Sequence, residues 1–456
     1  MEPTILLSEV VSALSLALDL TEGQPMGHAI RSCILGMRIG KLLGLDQQQL
    51  SDLYYALLLK DSGCSTNSAR LHRILGSDEL KAKREIKFED WTKPTLSGLR
   101  YLNRHVTPGG TALQRLKDIV LVGLAQKRNN MDLISSRCER GAEIARKIGF
   151  SEATSLAIRA LDEHWNGQGY PMGLAKHDIP ILARIMNVSQ TLEVFASTHG
   201  PSTALSVLSQ RSRVWFDPEV VRIASTLEHD EQLWHDLHNT GRESVLPMEP
   251  GVCLPASPER IDGLCQAFAE IVDAKSPFTF QHSVGVTRVA VEIARQLGLD
   301  SSRITTIQRA ALLHDIGKLG VSNAILDKPG KLTSEEWETM KMHPVYTRQI
   351  LEIITGFEEI AAIASAHHEK LDGSGYPNRL TAQEMALPAR IVVVADVFQA
   401  LTEKRAYRDG LPCEVVLEMM AADTPQKLDP VCFDALKARS HALTHTAKAL
   451  AQSAGH

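Results

Sequence analysis

Apolar positions recur at helical spacing along most of the chain. Residues 5–20 repeat with a period near that of an α-helix and predict an opening amphipathic helix. Gly44 and Gly298 each close a helical pattern, where a C-terminal stop is expected. Ala311-Leu-Leu-His-Asp-Ile-Gly-Lys318 begins as a buried helical run and delivers His314 and Asp315 at its edge. Thr333-Ser-Glu-Glu336 has the form of a capping box, in which a hydroxyl and a carboxylate each satisfy a free N–H at a helix start. It predicts a helix that presents His343 about two and a half turns later. Gly373-Ser-Gly375-Tyr376-Pro377 reads as a turn-rich loop. The run Ala389-Arg-Ile-Val-Val-Val-Ala395 is β-branched enough to suit a strand as well as a buried helix.

The pattern occurs twice. His28 is followed by Met37-Arg-Ile-Gly-Lys-Leu-Leu-Gly-Leu-Asp46, as His282 is followed by Val291-Glu-Ile-Ala-Arg-Gln-Leu-Gly-Leu-Asp300. Ala56-Leu-Leu-Leu-Lys60-Asp61-Ser-Gly63-Cys64 then aligns with Ala310-Ala-Leu-Leu-His314-Asp315-Ile-Gly317-Lys318. Further on, Glu163-His-Trp-Asn-Gly-Gln-Gly169-Tyr170-Pro171 parallels Glu369-Lys-Leu-Asp-Gly-Ser-Gly375-Tyr376-Pro377. A tandem duplication is the expectation. It comprises residues 1–240 with an insertion at about 65–130, a linker over 241–257 broken by Pro247, Pro250, Gly251 and Pro255, and a second copy over 258–456. Pro108-Gly-Gly110 marks a turn inside the insertion.

Five histidines and two aspartates of the second copy lie at the edges of apolar segments: His282, His314, Asp315, His343, His367, His368 and Asp396. Imidazole with carboxylate suits Mn, Fe, Co, Ni or Zn better than Mg or Ca. Seven donors exceed the four of a tetrahedral zinc and match two octahedral ions that share a bridging group. If the helical turn continues, Lys318 falls on the face of His314 and Asp315, and Gly317 leaves that face open to a ligand.

These residues resemble the HD-GYP family: His314-Asp315 with Gly317-Lys318, then His367-His368 and the Gly375-Tyr376-Pro377 loop. Lys328-Pro-Gly-Lys-Leu-Thr333 and Arg405-Ala-Tyr-Arg408 follow the family pattern in order, over roughly residues 258–440. The resemblance implies an all-α fold of two tandem HD-type helical bundle domains, with residues 389–396 helical. It implies a bacterial, metal-dependent phosphodiesterase of cyclic dinucleotides. The seven residues above become its ligands, with Asp315 bridging, and iron or manganese comes ahead of nickel, cobalt or zinc. Asp315 and Lys318 are the implied catalytic pair. Lys318 neutralises the phosphate or protonates the leaving 3′ oxygen, and Arg405 and Arg408 meet phosphates and bases. The Gly375-Tyr376-Pro377 loop faces outward in the family, as a surface for signalling proteins. Members with three metals carry a Glu four residues before the first His; Phe278 stands there and points to two ions. The family's usual Gly four residues after His343 is Thr347, which tightens that helix contact. The expected reaction is hydrolysis of cyclic di-GMP to the linear dinucleotide, with further cleavage to GMP left open. The alternatives are 3′,3′-cyclic GMP-AMP as substrate, or a slow sensor acting through protein partners.

In the first copy only His28 and Asp61 persist. Lys60, Cys64, Arg137, Leu161-Asp162 and Gln190 stand for His314, Lys318, His343, the His367-His368 pair and Asp396. Such a set cannot hold two metals, so this half is expected to be catalytically silent: a sensor, a dimerisation surface or packing alone. Cys64 is expected to be a buried, inert thiol.

Composition narrows the picture a little. A chain of 456 residues, 44% hydrophobic and 23% charged, fits a soluble protein of two or more domains. A net charge of −5 argues against DNA as a partner, although a local basic pocket can still take a small anion. Seven cysteines without a Cys-x-x-Cys suit a reducing cytoplasm. No apolar run is long enough for membrane insertion. A homodimer remains open.

Overall fold

The computed structural model describes residues 5–90, 95–239, 246–251, 255–278, 281–403 and 409–453, with side chains left out at 126–128, 441–442 and 444–453. The fold is all-α. Among the described residues only isolated β-bridges occur, and no helix is long and apolar enough to cross a membrane. The chain divides into two compact units, Met1–Gly263 with Ser322–Ala324, and Leu264–Val321 with Ile325–His456.

The first unit contains α1 (Leu7–Thr21), α2 (His28–Leu42), α3 (Gln47–Leu59), α4 (Ser68–Leu75), α5 (Glu79–Ile86), α6 (Leu96–His105) and α7 (Ala112–Leu124). It continues with α8 (Gln126–Ile148), α9 (Glu152–Arg159), α10 (Ile181–His199), α11 (Pro201–Arg211), α12 (Pro218–Ser225) and α13 (Glu231–His238). Helix α1 is not amphipathic as expected: it is buried almost all round, Ser8, Ser12, Ser15 and Asp19 included. Ser15 tolerates this by donating to the Ser12 carbonyl at 2.7 Å, whereas the Ser8 and Ser12 hydroxyls make no hydrogen bond among the described residues. Asp19 accepts from the Gly27 and Ala29 amides at 2.7 and 2.9 Å and so fixes the start of α2. The insertion folds into α4–α7 around a small core of its own, Leu75, Ala82 and Val106, with its turn between α6 and α7 as expected.

After α14 (Pro258–Asp273), the second unit repeats the α2–α3 arrangement as α15 (His282–Gln296) and α16 (Ser301–Leu313). Asp46 and Asp300 cap α3 and α16 in the same way, each accepting from the amide three residues on at 2.9 Å. Gly44 (φ +76°) and Gly298 (φ +72°) stop the preceding helices. Then follow α17 (Asn323–Leu326), whose first two residues belong to the first unit, and α18 (Ser334–Met340), α19 (His343–Leu351), α20 (Glu358–Ser365), α21 (Leu387–Thr402), α22 (Cys413–Asp423) and α23 (Pro430–Ser453). The capping box of Thr333 and Glu336 is present. Its helix ends at Met340, however, and His343 opens a new one, because a Pro at the following position suits a first turn better than an interior. The β-branched run 391–394 is helical within α21. A few tenths of a kcal/mol of propensity per residue is lost there, and burial at about 1.5–3 kcal/mol per side chain outweighs it.

Candidate metal centre

Every predicted ligand of the second unit is delivered by a helix end or a helix face. His282 opens α15, His314 and Asp315 follow α16, His343 opens α19, His367 and His368 follow α20, and Asp396 lies within α21. Three of the rings are locked alike. Nδ1 of His314, His343 and His367 lies 2.7 Å from the carbonyl three residues earlier, so a neutral ring donates there and turns the Nε2 lone pair inward.

The inward atoms meet at Asp315, which has its two oxygens in two different clusters. Oδ1 lies 3.5 Å from Nε2 of both His343 and His367. Oδ2 lies 3.3 Å from Nε2 of His314 and 3.8 Å from that of His282. Asp396 closes the second cluster, with Oδ1 at 3.2 Å from His282 and 3.9 Å from His314, while its Oδ2 faces His368 at 3.9 Å. Metal-holding groups accordingly form at His282-His314-Asp315, at His314-His367-Asp396 and at His343-His367-His368. His314 Nε2 and Asp315 Oδ1 are buried and make no hydrogen bond among the described residues. Polar atoms this deep normally have a partner, and a divalent cation satisfies both at once. The donors therefore fit a metal.

The electrostatics agree. Burial works to raise the carboxyl of Asp315, but the His314 ring and the Lys318 ammonium outweigh it and hold the group well below the usual range. Burial likewise opposes ionisation of Asp396, and the His282 hydrogen bond with the nearby His314 ring prevails. His343 and His368 are pushed far down, first by burial and further by the nearby Lys318 ammonium, which keeps them neutral and able to ligate.

Sequence reasoning missed Glu403. It lies two turns beyond Asp396, and its Oε2 sits 2.8 Å from His282 Nδ1. Burial alone would depress His282, but the hydrogen bonds to Asp396 and Glu403 lift it to about 9. The face shared by residues seven apart on a helix was the available signal. Lys318 does meet Asp315, although through a 3-10 turn, Ile316–Gly320, rather than a continued helix. Gly317 does not open a face to ligand. A Cβ there would stand 2.0 Å from the His343 carbonyl oxygen, so the glycine lets two backbones touch. Thr347 spans the same contact, accepting from the Gly317 amide at 3.1 Å and donating to the His314 carbonyl at 2.9 Å.

The motif loop turns partly inward, with Ser374, Asn378 and Arg379 left exposed. Gly375 is buried, and the Tyr376 ring lies 4.8 Å from the His368 ring and 5.6 Å from Trp337. Glu369 pins the loop by accepting from the amides of Asn378 and Leu380 at 2.7 and 2.9 Å. A cavity of about 630 Å³ adjoins His367 and His368, with Trp337, Tyr376, Lys341 and Lys427 on its walls. Phe278 sits in a turn ahead of α15, not one helical turn before His282 on the same helix. Arg405 and Arg408 lie outside the described residues.

The first unit repeats the frame without the donors. A Cβ on Gly63 would meet the Arg137 carbonyl at 1.9 Å, as Gly317 meets that of His343. Glu163 pins its loop through the amides of Met172, Gly173 and Leu174 at 2.6–3.1 Å. The Lys60 ammonium lies 3.1 Å from His28 Nε2 and pairs with Asp61. Arg137, in the place of His343, bonds Asp162, in the place of His368, with its Nε at 3.1 Å. Glu22, Asp61 and Cys64 come within ligand distance of one another. Lys83 and Lys87 already face Glu22 at 3.4 and 3.2 Å, and burial pushes the Cys64 thiol well up. Here the charge is balanced by ammonium groups.

Comparison with known proteins agrees with this geometry. The family model of the HD domain matches residues 125–220 and 266–432, one stretch in each unit. The chain is 41% identical to 3′3′-cGAMP-specific phosphodiesterase 3 of Vibrio cholerae over 438 residues, 95% of this chain and 94% of that protein. It is 42% identical to the cyclic di-GMP phosphodiesterase response regulator RpfG of Xanthomonas campestris over 156 residues, 33% of this chain and 40% of that one. A crystal structure of a cyclic GMP-AMP-specific phosphodiesterase of V. cholerae superposes with a TM-score of 0.67 at 37% identity, covering 96% of this chain and 98% of that one. The chain belongs to the HD domain family, among its HD-GYP cyclic dinucleotide phosphodiesterases.

Proposed function

We propose that the second unit cleaves a 3′,5′-phosphodiester bond of 3′,3′-cyclic GMP-AMP and releases the linear dinucleotide. One observation carries the choice of substrate. The relative named for that compound matches through both units, whereas the RpfG match spans a third of this chain. On that ground we place the two substrates in the opposite order to the one expected from the sequence. Purified protein with Mn or Fe(II) under reducing conditions, given both cyclic dinucleotides, should favour cyclic GMP-AMP in kcat/KM by about tenfold or more. Equal or better turnover of cyclic di-GMP overturns the assignment.

We assign His282, His314, Asp315 Oδ2 and Asp396 to one ion, and Asp315 Oδ1, His343, His367 and His368 to a second. Asp315 bridging two groups of donors supports a count of two, and Phe278 offers no donor atom for a third. Three ions per chain in metal analysis would refute the count. Iron or manganese suits this mixture of imidazole and carboxylate. When bound, such ions make water a nucleophile at neutral pH and draw charge from the phosphoryl oxygens. The chain's own groups do the rest. The Lys318 ammonium, held at Asp315, meets charge on the phosphate and carries a proton for the 3′ oxygen as it leaves. Trp337 and Tyr376 offer ring faces to a base, with Lys341 and Lys427 as counter-charges. Arg405 and Arg408 stay assigned to phosphate by family pattern. We keep the catalytic domain at 258–456 and the degenerate one at 1–240, as expected from the sequence. The six described cysteines are free thiols, five of them buried, which fits action in the cytoplasm.

A further inference from the structure

The first unit holds a cavity of about 650 Å³. Its floor carries Cys64, Arg137, Asp162 and Gln190, the four positions that stand for Lys318, His343, His368 and Asp396. The space thus adjoins the former centre on the side of those four positions. The inserted helices α4–α6 wall it with Leu71, Ile74, Ile86, Leu99 and Leu102. Two leucines at its edge, Leu96 and Leu99, are 77% and 58% exposed. An apolar chamber of this size with an apolar rim is the form small-molecule sites take.

The polar floor decides what kind of molecule fits. Lys83 is fully engaged, donating to the Thr21 and Cys64 carbonyls and to Ser68 Oγ at 2.9–3.1 Å. Arg137 is spent on Asp162. Lys87 differs: it forms an ion pair with Glu22 at 3.2 Å, a carboxylate it shares with Lys83, and its buried ammonium makes no hydrogen bond among the described residues. One ammonium with three N–H groups to give calls for one anionic head. A cyclic dinucleotide, with two phosphates and two bases, does not suit the chamber. Trp215, an aromatic wall, is already covered by His164 at 4.4 Å and by the Arg211 guanidinium at 4.4 Å, leaving no face for a base. Of the carboxylates on its wall, Glu22 already faces Lys83 and Lys87, and Asp162 faces Arg137.

We propose that the first unit is a binding site for an amphipathic small molecule, with an aliphatic body in the α4–α6 chamber and a single anionic head on Lys87. The test uses the full chain and two probes of equal length, decanoate and decanol, titrated by calorimetry below their micelle concentrations. Decanoate should bind saturably at one per chain, about tenfold or more tighter than decanol, the worth of a charge-assisted hydrogen bond. Lys87→Met should erase that preference, and Leu71→Trp, which fills the chamber, should weaken both probes. Trp337→Ala in the second unit should change neither. Absence of saturable decanoate binding, equal binding of the alcohol, or binding untouched by Leu71→Trp each overturns the proposal. Should Lys87→Met fail to fold, the wild-type pair of probes and Leu71→Trp still decide it.

Discussion

Lys60 and His314 hold the same place in the two repeats and solve one problem in opposite ways. Each stands beside a buried Asp and near a buried His. His314 brings a lone pair and leaves a positive charge to be supplied from outside; Lys60 brings the charge on its own side chain. Arg137 and Asp162 repeat the exchange one helix away, where the second unit has His343 and His368. The scaffold therefore needs positive charge at its centre, and it tolerates either an ion or an ammonium group there. The two arrangements share one backbone contact, a glycine against a carbonyl, at Gly63 and Gly317.

Matched substitutions break this comparison most sharply. Asp315→Asn should lower phosphodiester hydrolysis by on the order of a thousandfold or more, since both donor clusters share this residue. Asp61→Asn should leave turnover within about threefold, yet cost about 3–5 kcal/mol of stability by stranding the buried Lys60 ammonium. Activity and thermal melting on both proteins separate the two; equal loss of turnover would place chemistry in the first unit. Glu403→Gln comes next. It weakens the acceptor behind His282 and should reduce metal affinity by about 10–100-fold, read by competition with a chelator. Its counterpart test, Glu193→Gln behind His28, should leave the bound metal unchanged.

Smaller effects sharpen the picture at the edges of the site. Trp337→Ala should raise KM about five- to tenfold with kcat nearly constant, the worth of one base stacked on an aromatic ring. A fall in kcat alone would remove Trp337 from the binding surface. Thr347→Val deletes the hydroxyl that joins Gly317 to His314 and should cost about 1–3 kcal/mol in denaturant unfolding. Gly141 stands at that position in the first unit, and no equivalent cost arises there.

The chemistry of the second unit was legible because it is carried by residue types at fixed spacings. His282, His314-Asp315, His343, His367-His368 and Asp396 each mark a helix edge or face, and the structure brings all of them together. The first unit's losses were equally plain, since a Lys or Arg at a ligand position is decisive in itself. What stayed hidden depends on encounters between distant segments. Glu403 looks like one more acidic residue near a helix end until His282 is seen against it. Trp337 sits on a short helix, and only the motif loop folding back gives its ring a neighbour. The burial of α1 contradicts its polar residues, because a small hydroxyl such as that of Ser15 can be satisfied by its own helix and so go inside. Likewise Gly317 was read as an opening, when its role is to let the His343 backbone approach.

The carboxylate that pins each loop has a consequence in time. Glu369 holds the amides of Asn378 and Leu380, and Glu163 holds those of Met172, Gly173 and Leu174, in segments with no helix of their own. Amide protons in such irregular stretches ordinarily trade with solvent quickly, whereas these are sequestered by a buried acceptor and released only when the whole loop opens. Their exchange should therefore run at the pace of the surrounding helices, in both repeats alike, so that a segment irregular in shape keeps the clock of a rigid one.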